Sequence, residues 1–360
     1  MRLFRSSFTF EIDASGKSAP WWTTLVSVAL ALVVSSFLIL VSGADPGAVW
    51  VKMFQGAFGS WFGLTETLLK TIPLLLCGLG VAIAYKIAVW NIGAEGQLLA
   101  GAIAATGITI YFPHLPADVA LPLMLVAGLA AGGVWGLLTA LPKVFFQVNE
   151  LITSLMLNYV AFLGLQFLVF GPWRDPKGLN FPGSPVFPPA ETIPPLWDHS
   201  RLHWGLILAL VLVGIYAVAV NMTRWGYEIR LIGANPEAAL HAGIRIRRHI
   251  LGVLFISGAL AGLAGMMEVS GVTHRLMDSV SPGYGYTAII VAWIARLNPL
   301  GLILSAFLFA GLIVGGFNVQ TLGIPPSIAS MIQGAILFFV IGSSLVGKIK
   351  IRRTTPGTGA

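Results

Sequence analysis

The sequence predicts an all-α polytopic membrane protein with about ten transmembrane helices and both termini in the cytoplasm. Of its 360 residues, 56% are hydrophobic and only 10% are charged, whereas a soluble domain carries about 25% charged residues. Apolar stretches of about 20 residues recur along the chain, and each could cross a hydrocarbon core of about 30 Å as a helix. Lys and Arg are concentrated in alternate loops. This composition excludes an ordinary soluble domain.

Ten apolar segments are predicted to span the membrane within one domain over residues 21–346. They cover residues 21–42, 66–86, 93–112, 119–141, 151–171, 204–221, 250–271, 285–296, 298–318 and 326–346. The first is longer than the 7–15 apolar residues typical of a cleaved signal, which favours a retained helix. The eighth is short, so a half-inserted or tilted helix is an alternative. Small-residue pairs such as Gly258/Gly262 and Gly311/Gly315 are typical of helices that pack closely in lipid.

The distribution of basic residues predicts the orientation. If both termini lie on one side, fifteen of the 21 Lys and Arg residues lie on that side, which predicts cytoplasmic segments over 1–20 and 347–360. Because these residues occupy short loops, the net charge of +7 indicates topology rather than nucleic-acid binding. The other six would lie outside: Lys52, Lys70, Arg174, Lys177, Arg201 and Arg275.

Two loops are large and differ in kind. The outer loop, 172–203, holds eight prolines together with Trp173 and Trp197, which predicts a rigid surface without regular helices. It could dock an external partner or act as a spacer with interfacial tryptophans.

The cytoplasmic loop, 222–249, is predicted to contain two short helices, Tyr227–Ile232 and Pro236–Ala242, punctuated by Gly233 and Gly243. Asn235 can cap the second helix, and the proline that follows it suits the first helical position. A helix with small residues outside the membrane could insert into a partner's groove. The alternative is a basic loop that only fixes topology.

No nucleotide, metal or catalytic motif is complete. Gly16-Lys17-Ser18 ends like a P-loop, but Glu11 stands where its first glycine belongs. The glycines of Gly78-Leu79-Gly80 lie inside an apolar span, where they favour helix packing over dinucleotide binding. The sequence has one cysteine and no zinc-protease or nucleophile-elbow pattern. These patterns support neither metal nor nucleophilic catalysis, and we expect a chain that is not an enzyme and has no cofactor or metal of its own.

Polar residues within the apolar segments are candidates for a solute path, because such residues usually face a cavity or a partner in lipid. Asn91, Glu95 and Gln97 begin the third segment and offer amide and carboxylate groups to a hydroxyl-rich solute. Alternatively, Glu95 only satisfies the positive start of its helix.

A second polar group begins the fifth segment. Asn149 and Glu150 are candidate gate residues at its cytoplasmic end, and Asn158 lies two turns deeper on the same face as Glu150, which makes it a candidate for the path. Glu268, near the outer end of the seventh segment, is a further candidate, with a snorkelling interfacial acid as the alternative.

Five ordered motifs lie within about residues 91–301. They are Asn91-Ile-Gly-Ala-Glu-Gly-Gln-Leu98, Asn149-Glu-Leu-Ile-Thr-Ser-Leu-Met-Leu-Asn158-Tyr, Gly233-Ala-Asn-Pro-Glu-Ala-Ala-Leu-His-Ala-Gly243-Ile, Ser281-Pro-Gly-Tyr-Gly285-Tyr and Asn298-Pro-Leu-Gly301. Together they resemble the permease subunits of bacterial ABC importers for simple sugars and nucleosides. Leu151, Tyr284 and Tyr286 depart from the residues expected of that family.

This resemblance implies a multi-pass permease in a bacterial cytoplasmic (inner) membrane. Its partners would be an ABC ATPase subunit that uses the ATP, a second and shorter permease chain, and an extracytoplasmic substrate-binding protein. The length and motifs look most like the nucleoside branch. The residues implied in coupling to the ATPase are Gly233, Asn235, Pro236, Glu237, Ala238, Ala239 and Gly243.

In that picture Pro236–Ala242 is a coupling helix, and Ala239→Arg is expected to abolish uptake by blocking its contact with the ATPase. A simple sugar, a purine or a riboflavin-like solute are alternative substrates. The alternative of another class is a stand-alone secondary transporter or channel, which predicts intramembrane charge pairs or ion sites at broken helices.

Overall fold

The computed structural model describes residues 7–12, 21–113, 115–178, 181–197, 200–325, 327–346 and 349–354. The chain divides into two compact units, one of Met1–Trp50 with Val319–Ala360 and one of Val51–Asn318. Most of the predicted termini, 1–20 and 347–360, lie outside the described residues.

The first unit pairs the two ends of the chain. Its helices α1 (Trp21–Val41) and α13 (Ser327–Val346) pack together. Strands β1 (Ser7–Ile12) and β2 (Ile349–Thr354) form an antiparallel ladder with Ser7 opposite Thr354. The sheet is absent from the all-α prediction, because two short segments this far apart in sequence give no pattern that reveals their pairing.

The second unit is a helical bundle. A 3₁₀ turn, Pro189–Glu191, and a π-helical segment, Val269–Thr273, interrupt it. Its helices, with α2 beginning four residues before the unit boundary, are α2 (Pro46–Phe58), α3 (Trp61–Lys86), α4 (Ala94–Tyr111), α5 (Ala117–Phe146), α6 (Glu150–Phe170), α7 (Gly205–Met222), α8 (Arg224–Ala234), α9 (Pro236–His241), α10 (Ile246–Glu268), α11 (Tyr284–Ile294) and α12 (Pro299–Asn318).

All ten predicted apolar segments are helical over most of their described residues, and both helices predicted within residues 222–249 are present as α8 and α9. Six of the helices in the described part of the chain are long and apolar enough to cross a membrane: α3, α5, α6, α7, α10 and α12. A seventh span results if α1 and α2 are counted as one bent pair. The protein is thus a polytopic helical membrane protein.

Helix α10 lies at the centre of the second unit, where it packs against α3, α4 and α5. Glycines permit this close approach. A Cβ atom on Gly258 would overlap the carbonyl oxygen of Gly132, and one on Gly262 would overlap that of Gly128. The small-residue packing predicted for Gly258 and Gly262 is therefore confirmed, and it brings the polar residues of α10 close to those of α4.

The outer loop folds back onto the bundle. Apart from the 3₁₀ turn, its described residues form no regular helix, as predicted. Gly183 bridges to Met277, and Ser184 and Leu276 exchange hydrogen bonds. Trp173 is buried beside Gly107, whereas Trp197 is exposed and packs on Trp61. Of the two tryptophans, only Trp197 therefore has the exposure expected of an interfacial residue.

Candidate functional site

The start of α11 is the centre of the candidate site. The chain leaves α10 through the π-helical segment and a loop that ends at Gly283, whose φ of 94° suits glycine. The Ser281 hydroxyl accepts hydrogen bonds from the N–H groups of Gly283 and Tyr284, each at 3.2 Å. Helix α11 then runs for only 11 residues, about 16 Å at 1.5 Å per residue. This length is short for a full crossing of the membrane, as predicted for the eighth segment.

Glu95 joins the starts of two helices. It lies in the first turn of α4, as predicted, and its Oε2 accepts a hydrogen bond of 2.7 Å from the N–H of Gly285 in α11. Gly285 has no room for a side chain, because a Cβ there would overlap the backbone nitrogen of Glu95. The carboxylate thus faces the positive ends of two helices. Glu95 therefore does more than offset the positive start of its own helix, α4.

Glu268 is buried in an ion pair. Its Oε1 lies 2.9 Å from Nζ of Lys70, and the Tyr284 hydroxyl donates to the same oxygen at 3.4 Å. The Lys70 ammonium also lies 5.4 Å from the centre of the Tyr284 ring. Only 3% of the Glu268 side chain is exposed. The alternative of a snorkelling interfacial acid is therefore wrong, because a snorkelling group keeps its charge in water.

Lys70 lies inside the predicted segment 66–86, where the charge pattern assigned it only to the outer side of the membrane. Helix α3 begins five residues before that segment, at Trp61, where the Ser60 side chain caps the helix by accepting from the N–H of Gly63. The structure adds that Lys70 has a buried partner. A lysine within a predicted apolar segment was the available signal, since an intramembrane charge needs a partner.

Asn158 connects α6, α4 and α11. Its Oδ1 accepts from the N–H of Gly96 at 2.9 Å, and its Nδ2 lies 2.9 Å from the Ile92 carbonyl oxygen and 3.2 Å from the Tyr286 hydroxyl. Asn158 is buried, whereas 40% of Tyr286 is exposed. The two tyrosines that depart from the family pattern, Tyr284 and Tyr286, thus supply hydroxyls to the predicted path residues Glu268 and Asn158.

Asn91 and Gln97 form a separate, closed network. Their side chains exchange hydrogen bonds of 2.8 and 3.1 Å, and Asn91 Nδ2 donates to the Ser257 hydroxyl at 2.7 Å. Ser257 in turn donates to the Gly80 carbonyl at 2.6 Å. All these side chains are buried. The network fastens the start of α4 to α3 and α10, and the part of Asn91 and Gln97 in a solute path stays a prediction.

The candidate gate residues lie at the surface. Asn149 caps α6 by accepting from the N–H of Leu151 at 2.9 Å, and Glu150 pairs with Lys143 at 2.7 Å. Both border a surface cleft that Leu240 of α9 also lines. Their role as a gate stays a prediction.

The predicted coupling segment has the expected local structure. Asn235 caps α9 by accepting from the N–H of Ala238 at 3.1 Å, with Pro236 at the first helical position. Gly243 follows the helix with a φ of 75°. Glu237 is exposed in the first turn of α9.

Two members of that segment face inward. Gly233 meets the end of α3, because a Cβ there would overlap the Lys86 carbonyl oxygen. Ala239 is 0% exposed, so Ala239→Arg would disrupt the packing of this chain, and the expected contact of Ala239 with a partner is wrong. The exposed side of α9 carries Glu237, Leu240 and His241 instead.

The apolar helices enclose buried charges, amides and hydroxyls, an arrangement that defines a multi-pass membrane transport protein. The chain belongs to the family described as branched-chain amino acid transport system / permease component, whose profile matches residues 63–341.

Three relatives are permease proteins of ABC transporters. The glucose ABC transporter permease protein TsgB13 of Haloferax volcanii is 36% identical over 93% of this chain and 92% of the relative. The guanosine ABC transporter permease protein NupP of Bacillus subtilis is 33% identical over 91% and 95%. The nucleoside ABC transporter permease protein NupB of Lactococcus lactis is 30% identical over 88% and 89%. The chain is therefore an ABC transporter permease subunit.

Proposed function

We propose that this chain forms part of the translocation path of an ATP-driven importer for nucleosides. The observation that carries the proposal is the cluster at the start of α11, where Asn158, Tyr286 and Glu95 offer amide, hydroxyl and carboxylate groups beside one another. Such groups suit a neutral, hydroxylated solute. Two of the three relatives above carry guanosine or nucleoside in their names.

A sugar is the second candidate substrate, and one observation favours it. The relative with 36% identity is named a glucose permease protein. A pyranose offers hydroxyls to the same amide and carboxylate groups but has no aromatic ring. Purines and riboflavin-like solutes, like nucleosides, carry an aromatic ring system and stay as alternatives.

The proposed topology has about ten crossings and both termini in the cytoplasm of a bacterial inner membrane. Two observations support it. All ten predicted segments are helical over most of their described residues. The strands near the two ends of the chain also pair with each other, and such pairing needs both ends on one side of the membrane, which an even number of crossings provides. The excess of Lys and Arg on the same side supports the cytoplasmic placement.

The proposed partners are an ABC ATPase subunit, which uses the ATP, an extracytoplasmic binding protein and a second, shorter permease. This chain would hold no cofactor of its own. A second permease is supported by Bacillus subtilis, in which both NupP and NupQ are named guanosine ABC transporter permease proteins. NupQ is 28% identical over only 68% of this chain, so the chain corresponds better to NupP.

Helix α9 is the proposed ATPase contact, and its exposed face defines the test. Leu240 is a large apolar residue with 61% exposure on a cytoplasmic helix. Leu240→Asp is expected to reduce ATP-driven uptake at least tenfold while the protein still inserts and folds, because the change lies at the surface. Asn221→Asp, at the exposed end of α7, is the matched control. Normal uptake by the Leu240 variant would exclude this contact.

The function is tested by purifying the chain with its neighbouring gene products in mild detergent and identifying co-eluting proteins by mass spectrometry. An ATPase and a second permease are expected, and the reconstituted complex should import labelled guanosine when ATP is supplied. Import of glucose without guanosine would favour the sugar candidate. Import by the chain alone, without an ATPase, would refute the proposal and support a secondary transporter, in which the Lys70–Glu268 pair would be a natural ion-linked element.

A further inference from the structure

Two exposed tyrosines lie where α6 and α11 meet. Tyr159 of α6 is 59% exposed and Tyr286 of α11 is 40% exposed. Asn158, the residue before Tyr159, donates a hydrogen bond of 3.2 Å to the Tyr286 hydroxyl, which brings the two helices together at this point. The remaining large exposed side chains of α6 are apolar, for example Leu163 and Phe167. The tyrosines therefore stand out from the surface that surrounds them.

Their depth is unusual for tyrosines that face lipid. Tyr159 lies nine residues after Glu150, which starts α6, and hence about 14 Å along the helix. Tyrosines that contact lipid concentrate at the membrane–water interfaces, where the hydroxyl stays hydrated. Among the described residues, the Tyr159 hydroxyl has no hydrogen-bond partner, and an unpaired polar group in hydrocarbon is costly. This surface is consequently better suited to a water-filled path than to lipid.

A buried polar group supports the hydroxyl end of Tyr286. The Tyr286 hydroxyl accepts a hydrogen bond from Nδ2 of Asn158, and the Asn158 side chain is fixed by hydrogen bonds to the backbone of Ile92 and Gly96. The neighbouring Gly285 is fixed by Glu95. An exposed ring on a rigid polar support resembles a binding surface that is organised before its ligand arrives, which lowers the entropic cost of binding.

We propose that Tyr159 and Tyr286 form an aromatic recognition surface that stacks against the base of a nucleoside in the path. This inference rests on the proposed function and adds the chemistry that separates nucleosides from sugars. Stacking on an aromatic side chain suits any nucleobase because every base has a π-face. A free sugar lacks that face, so this surface would favour nucleosides over pentoses and hexoses.

Cysteine labelling can test this proposal with little background reaction from the chain itself. Cys77 is the only cysteine in the sequence and is buried. Tyr159→Cys and Tyr286→Cys can therefore be labelled with a water-soluble, membrane-impermeant thiol reagent in the reconstituted complex, with the wild-type chain as the background. Ile215→Cys, an exposed apolar position in the middle of α7, is the matched control.

We expect both tyrosine positions to react, Ile215→Cys to stay unreactive, and guanosine to slow labelling at least fivefold where ribose does not. Absence of labelling at both tyrosine positions would overturn the inference and assign them to lipid or to a subunit contact. Labelling that neither guanosine nor adenosine slows would also overturn it.

Uptake separates this inference from the proposed function. Tyr286→Leu removes the ring and is expected to raise the KM for guanosine about tenfold, whereas Tyr286→Phe keeps the ring and should raise it less than threefold. Equal effects of the two variants would refute stacking at Tyr286. If wild-type complex imports glucose but no nucleoside, the proposed function fails first, and protection by glucose in the labelling experiment would reassign the same surface to a sugar.

Discussion

Removing Lys70 is predicted to destabilise the protein more than removing its partner Glu268, because the two charges differ in exposure. The Lys70 side chain is 19% exposed and that of Glu268 is 3% exposed. Lys70→Met leaves a buried carboxylate whose remaining partner is the Tyr284 hydroxyl at 3.4 Å. Leaving one member of a buried pair alone costs about 3–5 kcal/mol, and this long hydrogen bond offsets little of it.

Glu268→Gln leaves the Lys70 ammonium unpaired, but this charge is less buried than the Glu268 carboxylate. Lys70 can extend toward water, and the Tyr284 ring at 5.4 Å stabilises it by about 0.5–1 kcal/mol. We expect a cost of about 1–2 kcal/mol for Glu268→Gln, since an exposed charge loses less when its partner is removed. The double variant Lys70→Met/Glu268→Gln should be more stable than Lys70→Met alone, because it buries no unpaired charge.

The assay is thermal unfolding of the four proteins in one mild detergent, followed by tryptophan fluorescence and analysed as a double-mutant cycle. A favourable coupling of about 2 kcal/mol is expected for charges in contact. The reasoning would be refuted if Glu268→Gln were the more damaging single change, or if the double variant were as unstable as the sum of the two.

Three further predictions concern other parts of the chain. The pKa of His203, in the outer loop, is lowered to about 4 by burial and by the nearby charges of His274 and Lys70, against about 6.5 when unfolded. The unfolded chain therefore binds this proton more readily, so the free energy of unfolding falls by up to about 3 kcal/mol as the pH drops from 6.5 through 4. His203→Asn should flatten this dependence in melting curves between pH 4 and 7. Gly262→Val should prevent folded expression because its side chain would meet the α5 backbone, whereas Gly214→Ala, with open space around it, should elute normally in size-exclusion chromatography. Asn158→Leu should lower guanosine uptake at least tenfold through loss of three hydrogen bonds, and uptake equal to wild type would exclude Asn158 from the site.

The positions of the apolar helices could be predicted from the sequence because each buries a continuous apolar segment, and the cap at Asn235 could be predicted because its signal is local. The partners of the buried polar groups could not be predicted from the sequence. Glu268 pairs with Lys70 across 198 residues of sequence, and Tyr284 joins them through a loop whose path no periodicity encodes. The inward orientation of Ala239 was missed for the same reason, since a six-residue helix shows too few turns to reveal its buried side.

The contact between Gly233 and Lys86 has a mechanical consequence. At this point the backbone of α8 rests directly on the last turn of α3, and no side chain lies between them to absorb strain. Protein interiors are close-packed and transmit small displacements instead of compressing. A displacement of the adjoining α9 would therefore move α3 along its axis with little compression. Helix α3 also carries Lys70, which pairs with Glu268. The stiffness of this glycine contact would then influence how far a movement of α9 is transmitted along α3.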